Sequence, residues 1–223
     1  MMRLERPLLC LVTDRRRLID GDVPFDTTRA TLVRLAHEAS AAGVDLIQVR
    51  EPGLETAQLA DLVAAIVDVT RGSATLVVVN DRLDVALTSG AHGVHLRGDS
   101  IPPRLARTIA PPGFVVGRSI HRLEEAREHA SSVDYLIAGT VFSTPSKPSA
   151  GPLLGQRGLR EIATAMDVPV LAIGGITIDR MREAAEAGAA GIAGIGLFLG
   201  GDVPLARVVD AARAQFDSVK AAS

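Results

Sequence analysis

Short runs of apolar and β-branched residues alternate along the chain with longer segments in which apolar residues recur every three or four positions. The first pattern is typical of strands buried on both faces, and the second of amphipathic helices. The runs predict eight strands: Leu8–Val12, Leu46–Val49, Thr75–Val79, Gly93–Leu96, Phe114–Gly117, Tyr135–Ala138, Val168–Ile173 and Gly191–Ile195. Helical spacing is clearest in Thr28–Ala42, Thr56–Thr70, Leu123–Ala130, Arg180–Ala187 and Leu205–Phe216.

This alternation predicts the fold class. Strands separated by helices form a parallel sheet, and eight such units are the number that closes a barrel. An open doubly wound sheet is the alternative, but that fold usually has fewer repeats and a glycine-rich turn after its first strand. This chain has Thr13-Asp14-Arg15 at that point. We therefore expect an α/β protein, a (β/α)8 TIM barrel that forms a single domain over residues 1–223.

Composition and charge exclude several classes of partner. A formal net charge of −2 gives no basic surface for nucleic acid or an anionic membrane, and aromatics at 3% offer no platform for stacking bases. No signal peptide and no segment long enough to span a bilayer is recognisable. Cys10 is the only cysteine and lies in an apolar run, so we interpret it as a small core residue of a cytoplasmic protein.

Two glycine clusters at the ends of the last two predicted strands indicate a phosphate site. Gly174 and Gly175 follow strand seven, and Gly194 and Gly196 lie at the end of strand eight. In many barrels the loops after these two strands bind a phosphate through backbone N–H groups, and glycine lets the backbone approach an anion closely. The alternative is that these glycines only make tight turns.

Polar side chains follow the second and third predicted strands. Gln48 and Arg50 are two residues apart and therefore share one face of the chain. Asn80 ends the third strand, and Asp81 beside it is explained equally well as a helix cap. We predict that Gln48, Arg50 and Asn80 contact a substrate.

The fifth strand is followed by Ser119 and His121, again two residues apart. An imidazole at the mouth of a barrel is a candidate general acid and base, although an ordinary exposed histidine is the alternative. We predict His121 as the catalytic residue and Ser119 as a substrate contact. His95 falls inside strand four, where a satisfied group in the barrel interior is expected.

The segment Ser143–Gly158 predicts a long loop after strand six, and loops of this length are usually functional or disordered. A lid over the site is one interpretation and a slack connection is the other. Thr144, Ser146 and Lys147 in this loop are candidate substrate contacts, with Lys147 as a cation for a phosphate. The residues by themselves predict no metal site, since the chain has no spaced His/Cys set and no HExxH or EF-hand pattern.

The chain resembles, over nearly its whole length, the family of thiamine phosphate synthase and the TenI-type thiazole tautomerase. The segments that carry the resemblance are Val12-Thr13-Asp14, Gln48-Val49-Arg50-Glu51, Val79-Asn80-Asp81-Arg82, Gly93-Val94-His95-Leu96, Gly117-Arg118-Ser119-Ile120-His121, Gly139-Thr140-Val141-Phe142-Ser143-Thr144, Lys147 and Ala172-Ile173-Gly174-Gly175-Ile176. Their order and spacing are specific for the superfamily and less specific for the activity.

The resemblance also identifies positions where this chain departs from the synthase pattern. The synthase joins a pyrimidine pyrophosphate to a thiazole phosphate, with Mg²⁺ on the pyrophosphate. Its lysine two residues after the strand-two arginine is Pro52 here, and a serine near strand eight is Gly196. Of its two metal-binding aspartates, Asp81 matches the first, whereas the second falls on Ser100 beside Asp99.

These departures favour the TenI-type branch in our interpretation. We expect an isomerase of thiamine biosynthesis that aromatises a carboxythiazole ethyl phosphate, with His121 as general acid and base and with no cofactor. The first alternative is thiamine phosphate synthase itself, with Mg²⁺ on Asp81 and Asp99. The second is a catalytically idle protein that binds thiamine phosphate. The expected partner is a small phosphorylated thiazole, and a homo-oligomer is compatible with the sequence.

Overall fold

The computed structural model describes residues 7–19, 21, 23–144, 152–199 and 203–221. Within them, eight parallel strands close into a barrel. The strands are β1 (Leu8–Val12), β2 (Leu46–Val49), β3 (Leu76–Asn80), β4 (Gly93–Leu96), β5 (Val115–Ile120), β6 (Tyr135–Ala138), β7 (Val170–Ile173) and β8 (Gly191–Gly194). The helices are α1 (Phe25–Ala41), α2 (Thr56–Val69), α3 (Leu83–Thr88), α4 (Pro103–Ile109), α5 (Leu123–His129), α6 (Gly155–Ala165), α7 (Ile178–Glu186), α8 (Gly196–Leu199) and α9 (Leu205–Ala221).

The barrel is closed by pairing between its first and last strands. β1 pairs in parallel with β2 and also with β8, where Leu8 lies opposite Gly191. The predicted (β/α)8 TIM barrel is therefore confirmed. The described residues contain no helix that combines the length and the apolar character needed to cross a membrane.

Alternate residues of each strand serve two separate cores. Leu9 and Leu11 of β1 face outward and belong to the layer between the strands and the helices, whereas Leu8, Cys10 and Val12 face the barrel interior. Burial raises the pKa of the Cys10 thiol to about 12, and this residue is a core group as predicted.

The barrel interior holds one large aromatic side chain, which depends on a glycine beside it. A Cβ atom at Gly117 would lie 2.1 Å from Cζ of Tyr135, so the ring would have to shift. The absence of a side chain on β5 at this point therefore gives the Tyr135 ring its place under the cleft described below.

The predicted elements differ from the observed ones mainly at short helices and at the loop after β6. Helix α3 has six residues, too few turns for a periodic pattern to stand out; α4 with seven residues was not predicted either, whereas α5 of the same length was. The predicted loop Ser143–Gly158 is shorter than expected, because α6 begins at Gly155. The part of this loop at 145–151 lies outside the described residues.

Candidate active site

A cleft of about 1600 Å³ opens at the carboxyl ends of the strands. All eight strands or the segments that follow them contribute to its walls, from Asp14 after β1 to Gly196 after β8. TIM barrels carry their active sites at this end, because the loops there converge on one point. The cleft is therefore the candidate active site.

The cleft brings together most of the residues that the sequence predicts for the site. The predicted residues that line it are Gln48, Arg50, Asn80, Ser119, His121, Thr144, Gly174, Gly175, Gly194 and Gly196, and Asp99 lines it as well. Ser146 and Lys147 lie outside the described residues. The convergence is a matter of position, and the individual roles remain predictions.

Gln48 and Asn80 form a pair at the cleft wall. Nε2 of Gln48 donates a hydrogen bond to Oδ1 of Asn80 at 2.9 Å, which fixes the orientation of the amide. Gln48 is only 4% exposed, and its Oε1 atom is buried without a hydrogen-bond partner among the described residues. An unpaired buried acceptor costs about 1–3 kcal/mol. The site thus contains an acceptor that a ligand N–H group would satisfy.

A buried carboxylate holds the loops after β1 and β2 together. Glu51 accepts hydrogen bonds from the backbone N–H of Arg15 at 3.1 and 3.2 Å and from Nη1 of the same arginine at 3.2 Å. Burial raises the pKa of Glu51, and its hydrogen bonds with Thr13 and Arg15 oppose that effect. The Thr13 hydroxyl also accepts from the backbone N–H of Arg50 at 3.0 Å. Glu51 therefore positions Arg50 indirectly, a role that its place in the sequence did not indicate.

His95 links the barrel interior to the cleft. Its Nε2 lies 2.8 Å from Oγ of Ser119, and its Nδ1 lies 3.1 Å from the hydroxyl of Tyr135. Burial, assisted by the positive charge of Arg118, lowers the pKa of His95 to about 3. The imidazole is therefore neutral and donates at one nitrogen while accepting at the other. The expectation of a satisfied interior histidine is confirmed, but the contact with Ser119 also makes His95 part of the site.

His121 is exposed at the end of β5. Its Nδ1 contacts the carbonyl oxygen of Gly139, and its backbone N–H donates to Oε2 of Glu125 at 2.7 Å. A carbonyl can only accept, so the proton in this contact is carried by Nδ1. The contact thus orients the imidazole ring at the cleft.

The two glycine clusters differ in how strictly the backbone requires glycine at their positions. Gly174 and Gly175 have φ angles of +99° and +63°, and a Cβ atom on Gly175 would lie 2.5 Å from the carbonyl oxygen of Ser143. These two glycines are needed for the loop after β7 to pack on the loop after β6. A Cβ atom on Gly196 would instead lie 3.1 Å from Nη1 of Arg17, the end of a flexible cationic side chain.

The acidic residues after β3 and β4 contact side chains of the loop after β4. The Ser100 hydroxyl donates to Oδ1 of Asp81, and the guanidinium of Arg97 lies 3.8 Å from Oδ2 of Asp81 and 2.6 Å from Oδ2 of Asp99. Among the described residues, no group of three His, Cys, Asp or Glu could hold a metal ion. Mg²⁺ prefers several free oxygen ligands, and these carboxylates already have partners.

The alternative explanation of Asp81 as a helix cap is wrong. Helix α3 begins at Leu83 with Arg82 at the N-cap position and with no side-chain capping bond. Asp81 instead has a φ of +66° and uses its carboxylate to bind Ser100 in the next strand's loop. Asp tolerates this left-handed conformation better than most residues because its short side chain bonds locally.

An eight-stranded parallel barrel with a large cleft at the carboxyl ends of its strands is the arrangement found in TIM-barrel enzymes. Within that class, residues 9–198 match the family described as thiamine monophosphate synthase, TMP-TENI. The chain is 42% identical over 174 residues to the thiamine-phosphate synthase of Methanoculleus marisnigri, a match that covers 77% of this chain and 82% of that protein. It is 37% identical over 200 residues to the thiamine-phosphate synthase of Roseiflexus castenholzii, covering 89% and 84%.

A solved structure supports the same relationship. Thiamine phosphate pyrophosphorylase from Pyrococcus furiosus superposes with a TM-score of 0.79 at 33% identity, over 95% of this chain and 96% of that one. The chain belongs to the thiamine monophosphate synthase family.

Membership of this family tests several of the functional predictions made from the sequence. It confirms the resemblance and makes the chain an enzyme of thiamine biosynthesis, consistent with phosphorylated substrates. The relatives are named as synthases, so the expected isomerase activity has no support from them and the synthase alternative is the better supported one. The comparisons do not distinguish a closer relationship to the TenI-type branch.

Proposed function

We propose that this chain is a thiamine-phosphate synthase. In this reaction the thiazole nitrogen of thiazole phosphate attacks the methylene carbon of hydroxymethylpyrimidine pyrophosphate. A carbon–nitrogen bond forms, the carbon–oxygen bond to pyrophosphate breaks, and pyrophosphate leaves with the electron pair. The chemistry requires two substrates held face to face and stabilisation of the negative charge on the leaving group.

The observation that carries the proposal is the unpaired acceptor of Gln48. Its Oε1 is buried at the cleft wall, and the bond from Nε2 to Asn80 at 2.9 Å prevents the amide from turning away. An amine on a pyrimidine ring is the kind of donor that this atom lacks. Binding the pyrimidine would therefore remove the cost of the buried unpaired oxygen, and a substrate without the donor would be rejected.

The rest of the cleft supplies groups for the two phosphorylated ends. Arg50 and Arg97 line it beside the Gln48 wall and offer guanidinium groups to a pyrophosphate. Gly174 and Gly196 in the segments after β7 and β8 also line the cleft, and many barrels bind a phosphate with the loops after these two strands. Two sites for anions in one cleft suit a reaction between two phosphorylated substrates.

The test is an assay with purified protein, hydroxymethylpyrimidine pyrophosphate and thiazole phosphate, with thiamine phosphate measured by chromatography. We expect turnover, and we expect Gln48→Leu to raise KM for the pyrimidine substrate about tenfold or more with little change for the thiazole, because one hydrogen bond is lost. Gln215→Leu makes the same exchange on α9, far along the chain from the cleft residues, and serves as the control. Absence of thiamine phosphate with both substrates, with and without Mg²⁺, would contradict the proposal.

A second candidate is the thiazole tautomerase expected from the sequence, which one observation favours. His121 lines the cleft, and the contact of its Nδ1 with the Gly139 carbonyl orients the imidazole there, an arrangement suited to proton transfer. A tautomerase also needs no metal carboxylates, and here these are occupied by Ser100 and Arg97. Conversion of the thiazole tautomer without any pyrimidine substrate is the measurement that would select this candidate.

A further inference from the structure

The loop after β4 places a guanidinium between two carboxylates. Nη2 of Arg97 lies 2.6 Å from Oδ2 of Asp99, and its Nη1 lies 3.8 Å from Oδ2 of Asp81. The Arg97 guanidinium contacts both carboxylates and therefore takes the position that a metal ion bound by both would need. The positive charge at this position therefore belongs to the chain itself.

Ser100 fixes this arrangement from the other side. Its hydroxyl donates to Oδ1 of Asp81 and accepts from the backbone N–H of Arg97 at 2.7 Å. Both oxygens of Asp81 thus face partners that belong to this loop, and the backbone of Arg97 is tied to the same carboxylate. A metal ion would have to displace the serine hydroxyl or the guanidinium to gain a ligand here.

We propose that Arg97 binds the pyrophosphate group directly and supplies there the charge that a metal ion would otherwise bring, an inference that rests on the proposed function. Arg97 lines the cleft, and its side chain is 53% exposed, so it can reach a ligand. A planar guanidinium fork matches two phosphate oxygens at once.

The exchange of partners that this binding requires is favourable. The ion pair of Arg97 with Asp99 involves a carboxylate that is 70% exposed, and such surface pairs contribute little. A pyrophosphate presents more negative charge to the same guanidinium than the single carboxylate of Asp99 does. Arg97 therefore leaves Asp99 when the ligand binds, while its backbone bond to Ser100 keeps the loop in place.

The experiment is calorimetric titration of the full chain with inorganic pyrophosphate, in EDTA and in Mg²⁺. We expect wild type to bind pyrophosphate in EDTA, Arg97→Gln to weaken that binding about tenfold to a hundredfold, and Arg97→Lys to fall between them because it keeps the charge and loses the fork. Arg104→Gln removes the same charge from an exposed position on α4 and should leave the affinity within about twofold, because screening weakens distant charges.

Binding of pyrophosphate by wild type only in Mg²⁺, or equal weakening by Arg97→Gln and Arg104→Gln, would overturn the inference. The synthase assay in EDTA separates the two proposals. If wild type turns over only with Mg²⁺, and Arg97→Gln has the same turnover as wild type in Mg²⁺, this inference is overturned and the synthase proposal stays intact. Binding in EDTA that depends on Arg97, without formation of thiamine phosphate from both substrates, supports the inference and contradicts the synthase.

Discussion

The buried histidine at the base of the cleft makes a quantitative prediction about acid stability. His95 is 1% exposed, and burial lowers its pKa from 6.5 to about 3. The unfolded chain therefore takes up a proton below pH 6.5 that the folded chain refuses until about pH 3. Over that window the contribution of His95 to stability is lost as the pH falls, by about 1.4 kcal/mol per pH unit.

The perturbation is His95→Gln, which keeps a polar side chain and removes the titration. Between pH 7.5 and pH 5, wild type should lose about 2 kcal/mol more than the variant, or about 4–8 °C in Tm for a chain of this size. The variant should be less stable than wild type at pH 7.5, because a glutamine cannot meet both Ser119 and Tyr135 with the geometry of the ring. The gap between the two proteins should therefore narrow as the pH falls.

Urea unfolding followed by circular dichroism at the two pH values measures this difference. The lowered pKa values of His92 and His129 contribute to both proteins and cancel in the comparison. His37→Gln removes an exposed histidine of α1 and serves as the control. The difference in unfolding free energy between His37→Gln and wild type should be the same at both pH values. A gap between wild type and His95→Gln that is the same at pH 7.5 and pH 5 would refute a neutral His95 in the folded protein.

Two further predictions concern the cleft. Gly175→Ala should lower stability by about 2 kcal/mol or more, because its Cβ would lie 2.5 Å from the Ser143 carbonyl oxygen at a positive φ. Gly196→Ala meets only the flexible end of Arg17, so it should keep the Tm of wild type but raise KM for thiazole phosphate. Thermal denaturation measures the first effect and steady-state kinetics the second. His121→Ala should leave the synthase kcat within a few-fold, whereas a tautomerase would lose about two decades or more in kcat.

The sequence predicted the barrel and the position of the site because both depend on local patterns. Eight apolar runs specify the strands, and residues that end parallel strands necessarily meet at one edge. Gln48, Asn80 and Ser119 could therefore be assigned to the cleft from their places along the chain. Short helices such as α3 were not specified, since a single turn and a half carries no period.

Contacts across the barrel could not be predicted in this way. His95 meets Ser119 from 24 positions away and Tyr135 from 40, and the register of β4 with β5 and of β5 with β6 brings them together. The same holds for Glu51, whose carboxylate joins a loop 36 residues earlier in the chain. The alternation of residues along a strand predicts which face of the sheet a side chain occupies, but not which side chain of another strand it contacts there.

The acidic loop illustrates why a departure from a family pattern is not simply a loss. From the sequence, Ser100 in place of an aspartate removes a metal ligand and argues against the synthase. In the structure the same serine hydroxyl binds Asp81 and anchors the backbone of Arg97, whose guanidinium then faces both carboxylates. One substitution thus removes a negative charge and fixes a positive one at the same place, and for a pyrophosphate both changes act in the same direction. The synthase reaction depends on the charge that meets the leaving group, whether an ion or a guanidinium carries it.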